Sequence, residues 1–104
     1  MLEAPPGFRF RAGQYIEVVH PDGTIPLSIA SAPGRLPAVH LHYRSTPGLD
    51  TARWMDELLD GPPRLRVRGP SGLVTLPDRL RGPLLLVAAG TGIAQVLALL
   101  EELA

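Results

Sequence analysis

The stretch Val39-His40-Leu41-His42-Tyr43-Arg44 alternates apolar and polar side chains without a break. A strand of that period places Val39, Leu41 and Tyr43 on one face and His40, His42 and Arg44 on the other, the pattern of a half-buried antiparallel strand or barrel wall. Toward the N-terminus, Pro26 to Ala32 and Tyr15 to His20 read as two further strands, separated by the turn Pro21-Asp22-Gly23. Toward the C-terminus, Leu65 and Val67 alternate with Arg64, Arg66 and Arg68, and Leu73 to Leu76 follows the turn Gly69-Pro70-Ser71-Gly72. The 12 Pro and 11 Gly among 104 residues cut the chain into pieces of strand length, so the class is mainly β.

Two segments read as helix. Asp50 to Leu59 carries Trp54, Met55 and Leu58 at helical spacing, has Asp50 as a candidate N-cap, and stops at Gly61-Pro62-Pro63. Leu84 to Ala89 is continuously apolar, as a strand covered on both faces of a parallel sheet would be. Gly90-Thr91-Gly92 then turns into a helix from Ile93 to the C-terminus. Its apolar Ile93, Val96, Leu97, Leu99, Leu100 and Leu103 make a stripe too wide for packing on one side, which places its partners outside this chain. The expected organisation is a small β-domain over residues 1–82, followed over 83–104 by the first strand and helix of an α/β domain.

Composition narrows the chemistry. The chain is 45% hydrophobic with 10 basic and 10 acidic residues, so it suits a single packed core and lacks the positive excess that drives binding to nucleic acid or anionic membranes. It contains no Cys, which removes disulfides, zinc–thiolate sites and a cysteine nucleophile. All ten basic residues are Arg, so a P-loop lysine or a Schiff-base lysine is also absent. The run Leu84 to Ala89 is far shorter than the ~20 residues of a membrane helix. The N-terminus has neither the basic start nor the apolar stretch of a secretory signal, and a cytoplasmic location is expected.

Several local patterns bear on function. A strand–Gly-Thr-Gly–helix junction brings main chain close to a ligand and aims free N–H groups at a phosphate, yet the third glycine of G-x-G-x-x-G is replaced by Gln95. A nucleotide-binding turn and a plain tight turn both remain open on spacing alone. Gly48 to Thr51 leads into the Trp54 helix and offers a second helix N-terminus, where the Asp50 carboxylate opposes an anion while Thr51 supplies a hydroxyl. His40 and His42 share a strand face, but no third ligand accompanies them, so no metal site is expected. Gly69-Pro70-Ser71-Gly72 misses the spacing of a G-x-S-x-G nucleophile elbow. Arg64, Arg66 and Arg68 form either an anion-binding row or a solvated face.

Taken in order, Phe10-Arg11-Ala12-Gly13-Gln14-Tyr15-Ile16, Pro26-Leu27-Ser28-Ile29-Ala30-Ser31, Leu41-His42-Tyr43-Arg44, Pro47-Gly48, Gly69-Pro70-Ser71-Gly72 and Leu84 to Ala94 resemble the FAD-binding domain of the ferredoxin–NADP reductase-like superfamily. The bacterial NAD(P)H-flavin reductases and oxygenase reductase components come nearest in pattern. The resemblance implies a six-stranded antiparallel Greek-key barrel with one short helix, whose first strand, ahead of Phe8, is expected to be missing here, and then the opening of a truncated NAD(P)-binding domain. It also implies an oxidoreductase that passes electrons from NAD(P)H through FAD, or FMN, to an acceptor such as an iron–sulfur protein or free flavin. In that family an Arg-x-Tyr-Ser segment grips the flavin. Here it reads Ile25-Pro26-Leu27-Ser28, so Ser28 carries over as the residue at the reactive ring nitrogen, with Pro26 and Leu27 as apolar contacts. His42, Tyr43 and Arg44 would line the ribityl, phosphate or adenine side, and Gly48 and Thr51 would cap the pyrophosphate. Gly90, Thr91 and Gly92 would meet the pyridine nucleotide, with Thr91 placing its nicotinamide; Gln95 stands where many members have Pro. The alternative is a non-catalytic nucleotide- or protein-binding remnant, to which the replacement of the Arg and Tyr by Ile25 and Leu27 points. Either way the apolar C-terminal helix would favour self-association.

Overall fold

The structure, a computed structural model, describes residues 1–44, 48–60 and 64–104, with Thr51 described by its main chain alone. The expected stop at Gly61-Pro62-Pro63 and the residue Pro47 lie outside the described residues. Strands β1 (Leu2–Glu3), β2 (Tyr15–His20), β3 (Gly23–Ser28), β4 (Ala38–Val39) and β5 (Val67–Ser71) are joined by helices α1 (Asp50–Leu59) and α2 (Ile93–Leu103). They form two antiparallel sheets, one ordered β3-β2-β5 and the other β1-β4. The fold is therefore mainly antiparallel β, as expected, and compatible with a small Greek-key barrel. Among the described residues, however, no ladder joins the two sheets. Between them lies an apolar cleft of about 470 Å³ lined by Leu2, Phe8, Ile16, Val39, Leu65 and Val67 among others.

Alternation builds the central hairpin. Ile16, Val18 and His20 of β2 are buried, while Tyr15, Glu17 and Val19 are half-buried on the other face. His20 pairs with Gly23 across the two-residue loop Pro21-Asp22, and the Asp22 N–H donates to His20 Nδ1 at 3.0 Å. The partner strand runs from Gly23 to Ser28 rather than from Pro26 to Ala32, because Pro26 lies within the ladder, opposite Glu17. A proline lacking its N–H is tolerated there since β3 has a neighbour on one side only.

The predicted strand Val39–Arg44 keeps its faces but not its ladder. Val39 is buried, Leu41 and Tyr43 are half-buried, and His42 and Arg44 are exposed. Regular pairing is confined to Ala38–Val39 against β1, with an isolated bridge between Leu41 and Ile29. Nearby, the His40 N–H donates to Ser31 Oγ at 3.1 Å instead of to a strand carbonyl. A side-chain acceptor thus takes the place of a ladder bond. Ahead of Phe8, where a barrel strand is expected to be missing, Leu2–Glu3 forms the two-residue strand β1 against Ala38–Val39.

Three apolar clusters hold these elements. Phe10, Ile16, Ile29 and Val39 pack together, supported by Phe8 and Leu41; Val18, Leu27 and Met55 form a second group with Trp54 and Tyr43 around it. Helix α1 joins this second group, and Trp54 meets the His20 ring edge-on at 4.8 Å between centroids. Its N-cap is Leu49 rather than Asp50, because Leu49 has extended backbone angles and its carbonyl accepts the first helical bond from the Arg53 N–H. Asp50 lies inside the first turn, where its charge suits the helix dipole.

The third cluster corrects the expectation for the C-terminal helix. Ala94, Ala98 and Leu99 of α2 are buried, the last two grouped with Ala12 under Leu76 and Leu86, so this helix does have partners in the chain. Ile93, Leu97, Leu100 and Leu103 remain exposed. The preceding 84–89 segment forms no strand; Leu85 and Val87 are 86% and 81% exposed, and only Leu86 packs against the α2 cluster. A parallel strand is held by its neighbours, and none of the described strands lies beside it. Leu73–Leu76 likewise makes no ladder, since it follows the Arg11–Gln14 turn: the Arg11 guanidinium donates to the Leu76 carbonyl at 3.1 Å.

Glu101 ties the far end of α2 to the β-domain. Its Oε1 accepts the Ala32 N–H at 2.9 Å and pairs with Arg35 Nε at 2.8 Å. The main-chain donor first, and the guanidinium second, hold its carboxyl below the usual glutamate range. A depressed folded-state value means that the stabilisation is present above the unfolded value and is lost as pH falls through the folded one. The protection of the α2 amides against hydrogen exchange, taken relative to their intrinsic rates, is therefore expected to fall on acidification below about pH 4, and Glu101→Gln should flatten that pH dependence.

Candidate functional site

On the outer face of the β2–β3 hairpin, Tyr15, Glu17, Thr24, Pro26 and Ser28 line an open groove of about 470 Å³. Tyr15 and Ser28 are direct partners across the strands, and the Ile29 N–H donating to the Gln14 carbonyl makes theirs the non-hydrogen-bonded type of pair, in which side chains lie closest. On its other side Tyr15 pairs with Ser71, next to a register shift in the β2–β5 ladder. Gly72 packs on the Tyr15 ring: a Cβ there would come within 3.3 Å of Tyr15 Cδ1. The Ser28 hydroxyl makes no hydrogen bond to another described residue, whereas Thr24 Oγ1 donates to Glu17 Oε2 at 2.7 Å.

The groove thus offers a flat wall, one aromatic ring, a proline and a free hydroxyl. Apolar surface with a few placed polar groups is what a planar heteroaromatic ring requires, so these residues fit an isoalloxazine. Strand alternation divides the rest of the segment. Ile25 and Leu27 face the Val18–Met55 cluster, with Leu27 8% exposed, so the wall beside Ser28 is made by Pro26 and Tyr15. Of the groove residues outside the predicted set, Tyr15, Glu17 and Thr24, it is Tyr15 that stands directly opposite Ser28. Its position, out of phase with buried Ile16 and Val18 on the same strand, was the available signal.

The remaining predicted residues are dispersed. His42 and Arg44 are exposed, while Tyr43 packs against the cluster that holds α1. Gly48 has φ of +89° and leads into α1, whose first turn has no side-chain cap, leaving the N–H groups of residues 50 to 52 without helical partners. These donors and Arg53 suit a phosphate and Asp50 opposes it; the Thr51 side chain lies outside the described residues. Gly90 has φ of +58°, and Gly90–Gly92 forms a single 3₁₀ turn running directly into α2, with Thr91 exposed. Among the described residues no group of three or more His, Asp or Glu side chains is placed to hold a metal ion, and no helix is long and apolar enough to cross a membrane.

No known family model matches the sequence. Along nearly its whole length the chain is nevertheless a relative of flavin reductases and of the reductase components of oxygenase systems. It is 36% identical over 98% of its length to a Vibrio harveyi protein named as a probable flavin reductase. It is also 36% identical over 99% of its length to reductase component 1 of the terephthalate 1,2-dioxygenase of a Comamonas species. The ferredoxin–NAD(P)(+) reductase component of the Pseudomonas putida naphthalene 1,2-dioxygenase system is 31% identical over 90% of the chain. The chain spans 46%, 31% and 29% of these three relatives, so it corresponds to one portion of each. This is the relationship that the resemblance to the ferredoxin–NADP reductase-like superfamily leads one to expect.

Proposed function

We propose that the chain is the flavin-holding part of an NAD(P)H-dependent oxidoreductase that passes electrons through FAD to an acceptor protein or free flavin. The observation that carries this reading is the Tyr15–Ser28 pair, which sets an aromatic ring beside an unpartnered hydroxyl on an open sheet face. The chemistry a bound flavin supplies is hydride acceptance followed by one- or two-electron donation. The chain's own work is positioning: Tyr15 and Pro26 would flank the ring, Ser28 would bond at its reactive nitrogen, and Arg44 with the first turn of α1 would hold the phosphates. Residues 83–104 would open the pyridine-nucleotide domain, with Thr91 orienting the nicotinamide between Gly90 and Gly92.

Titrating the purified chain with FAD, with FMN as comparison, tests this by quenching of flavin fluorescence. Saturable FAD binding is the expected outcome. Absence of binding by either flavin would leave the second reading, a non-catalytic nucleotide- or protein-binding relative, which is favoured by the inward placement of Ile25 and Leu27. A cytoplasmic setting and an electron-acceptor partner belong to the first reading.

The exposed apolar face of α2 and the bare 84–89 segment are expected to draw copies together. Light scattering should show the apparent mass rising with concentration; a monodisperse monomer throughout would defeat that expectation.

A further inference from the structure

The Gln95 amide Nε2 donates to the Gly13 carbonyl at 2.9 Å, linking the first turn of α2 to the Arg11–Gln14 turn far back in the chain. The next residue, Gln14, is bonded in three directions. Its carbonyl accepts the Ile29 N–H, beside Ser28; its Nε2 donates to the Gly72 carbonyl at 3.2 Å, where Gly72 backs the Tyr15 ring; and its Oε1 accepts the Arg11 N–H at 2.8 Å. One tight turn therefore carries both walls of the Tyr15–Ser28 groove and the anchor of the helix that begins immediately after Gly90–Gly92. Close approach reinforces the anchor, since Gly13 lies against Leu99 and the Val74 main chain. A proline at position 95 would have no side-chain donor for this bond.

We infer that Gln95 is a positioning residue: by bonding Gly13 it fixes the Gly90–Gly92 turn relative to the Tyr15–Ser28 groove, so that ligands held by the two would meet in one orientation. This rests on the proposed flavin function for its purpose, but its geometry can be tested separately. The bond is half-buried and joins two elements by a single donor, so loss of that donor loosens α2 at the end nearest the turn while Glu101 still holds the far end.

The absence of cysteine allows nitroxide labels to be placed at Asp22→Cys and Ala89→Cys in the full chain, both positions being exposed. Pulsed electron–electron resonance then reads the spread of distances between hairpin and turn. Gln95→Glu keeps the shape and removes the donor, and it should raise the displaced population about fivefold, as should Gln95→Ala; Gln95→Lys, which retains a donor of similar reach, should keep the narrow parent distribution. If Gln95→Glu matches the parent, or Gln95→Lys broadens as much as Gln95→Ala, the inference is overturned. Should Gln95→Glu not fold, as judged by circular dichroism, the Ala and Lys variants decide between the same two outcomes. FAD titration of the labelled parent is the separate check on function: failure to bind would defeat the flavin reading and leave the distance comparison standing.

Discussion

Replacing Gly13 by alanine is expected to cost about 4 kcal/mol or more and lower the melting temperature by about 20 °C. Gly13 has φ of +99°, a region that side chains disfavour, and an added Cβ would overlap the Val74 carbonyl oxygen and press on Leu99 Cδ2 at 3.3 Å. Neither neighbour can yield cheaply, because one is main chain and the other belongs to the cluster beneath α2. Gly7 is the internal control. Its φ of +85° is similarly unfavourable, but nothing lies within 4 Å of an added Cβ, so Gly7→Ala should cost only about 1 kcal/mol. Thermal unfolding followed by circular dichroism measures both, and equal shifts would show that backbone conformation, not the close approach of Val74, limits Gly13.

The second large effect is chemical. On the proposed function, Ser28→Ala, made in a longer reductase that carries this domain together with a whole pyridine-nucleotide domain, should slow NAD(P)H-dependent flavin reduction about 10²-fold while weakening flavin binding about fivefold or less. The asymmetry follows from what the hydroxyl would do. Groove walls made by Tyr15 and Pro26 would supply most of the ring contact and are untouched, whereas a bond at the reacting nitrogen matters most when charge develops there. Because Ser28 is half-buried and its hydroxyl bonds no other described residue, the substitution should leave stability close to that of the parent. Stopped-flow reduction of the flavin-loaded protein measures the rate, and fluorescence titration measures the affinity. Unchanged rates would remove Ser28 from the reaction.

What could be read from the sequence was set by how locally each element is determined. Strand β2 and both helices lie where periodicity places them, because Ile16–Val18–His20 and Ala52–Met55 each repeat at the period of their own element. The reading failed where a partner distant in sequence decides the outcome. Pro26 reads as the start of a strand, yet it sits inside the ladder, opposite Glu17, because β3 lacks a second neighbour. Leu84–Ala89 has the composition of a buried strand and lies open because none of the described strands pairs with it. Gln95 reads as a missing glycine, and its use emerges only when Gly13 is found beside it. The candidate site shows the same division. Ser28, singled out by its motif, lines the groove, while Tyr15 enters only through the register of β2 with β3.

The exposed run from Pro77 to Gly90, in which Leu86 alone is partly covered, joins two bodies already fastened to each other by Gln95, Glu101 and the Ala98–Leu99 packing. Covalent continuity there is therefore not what keeps α2 in place. A protease that cuts after Arg79 or Arg81 would leave a nicked molecule whose two pieces stay associated, and the same loop is where an insertion, a tag or a split into complementing fragments would disturb the fold least.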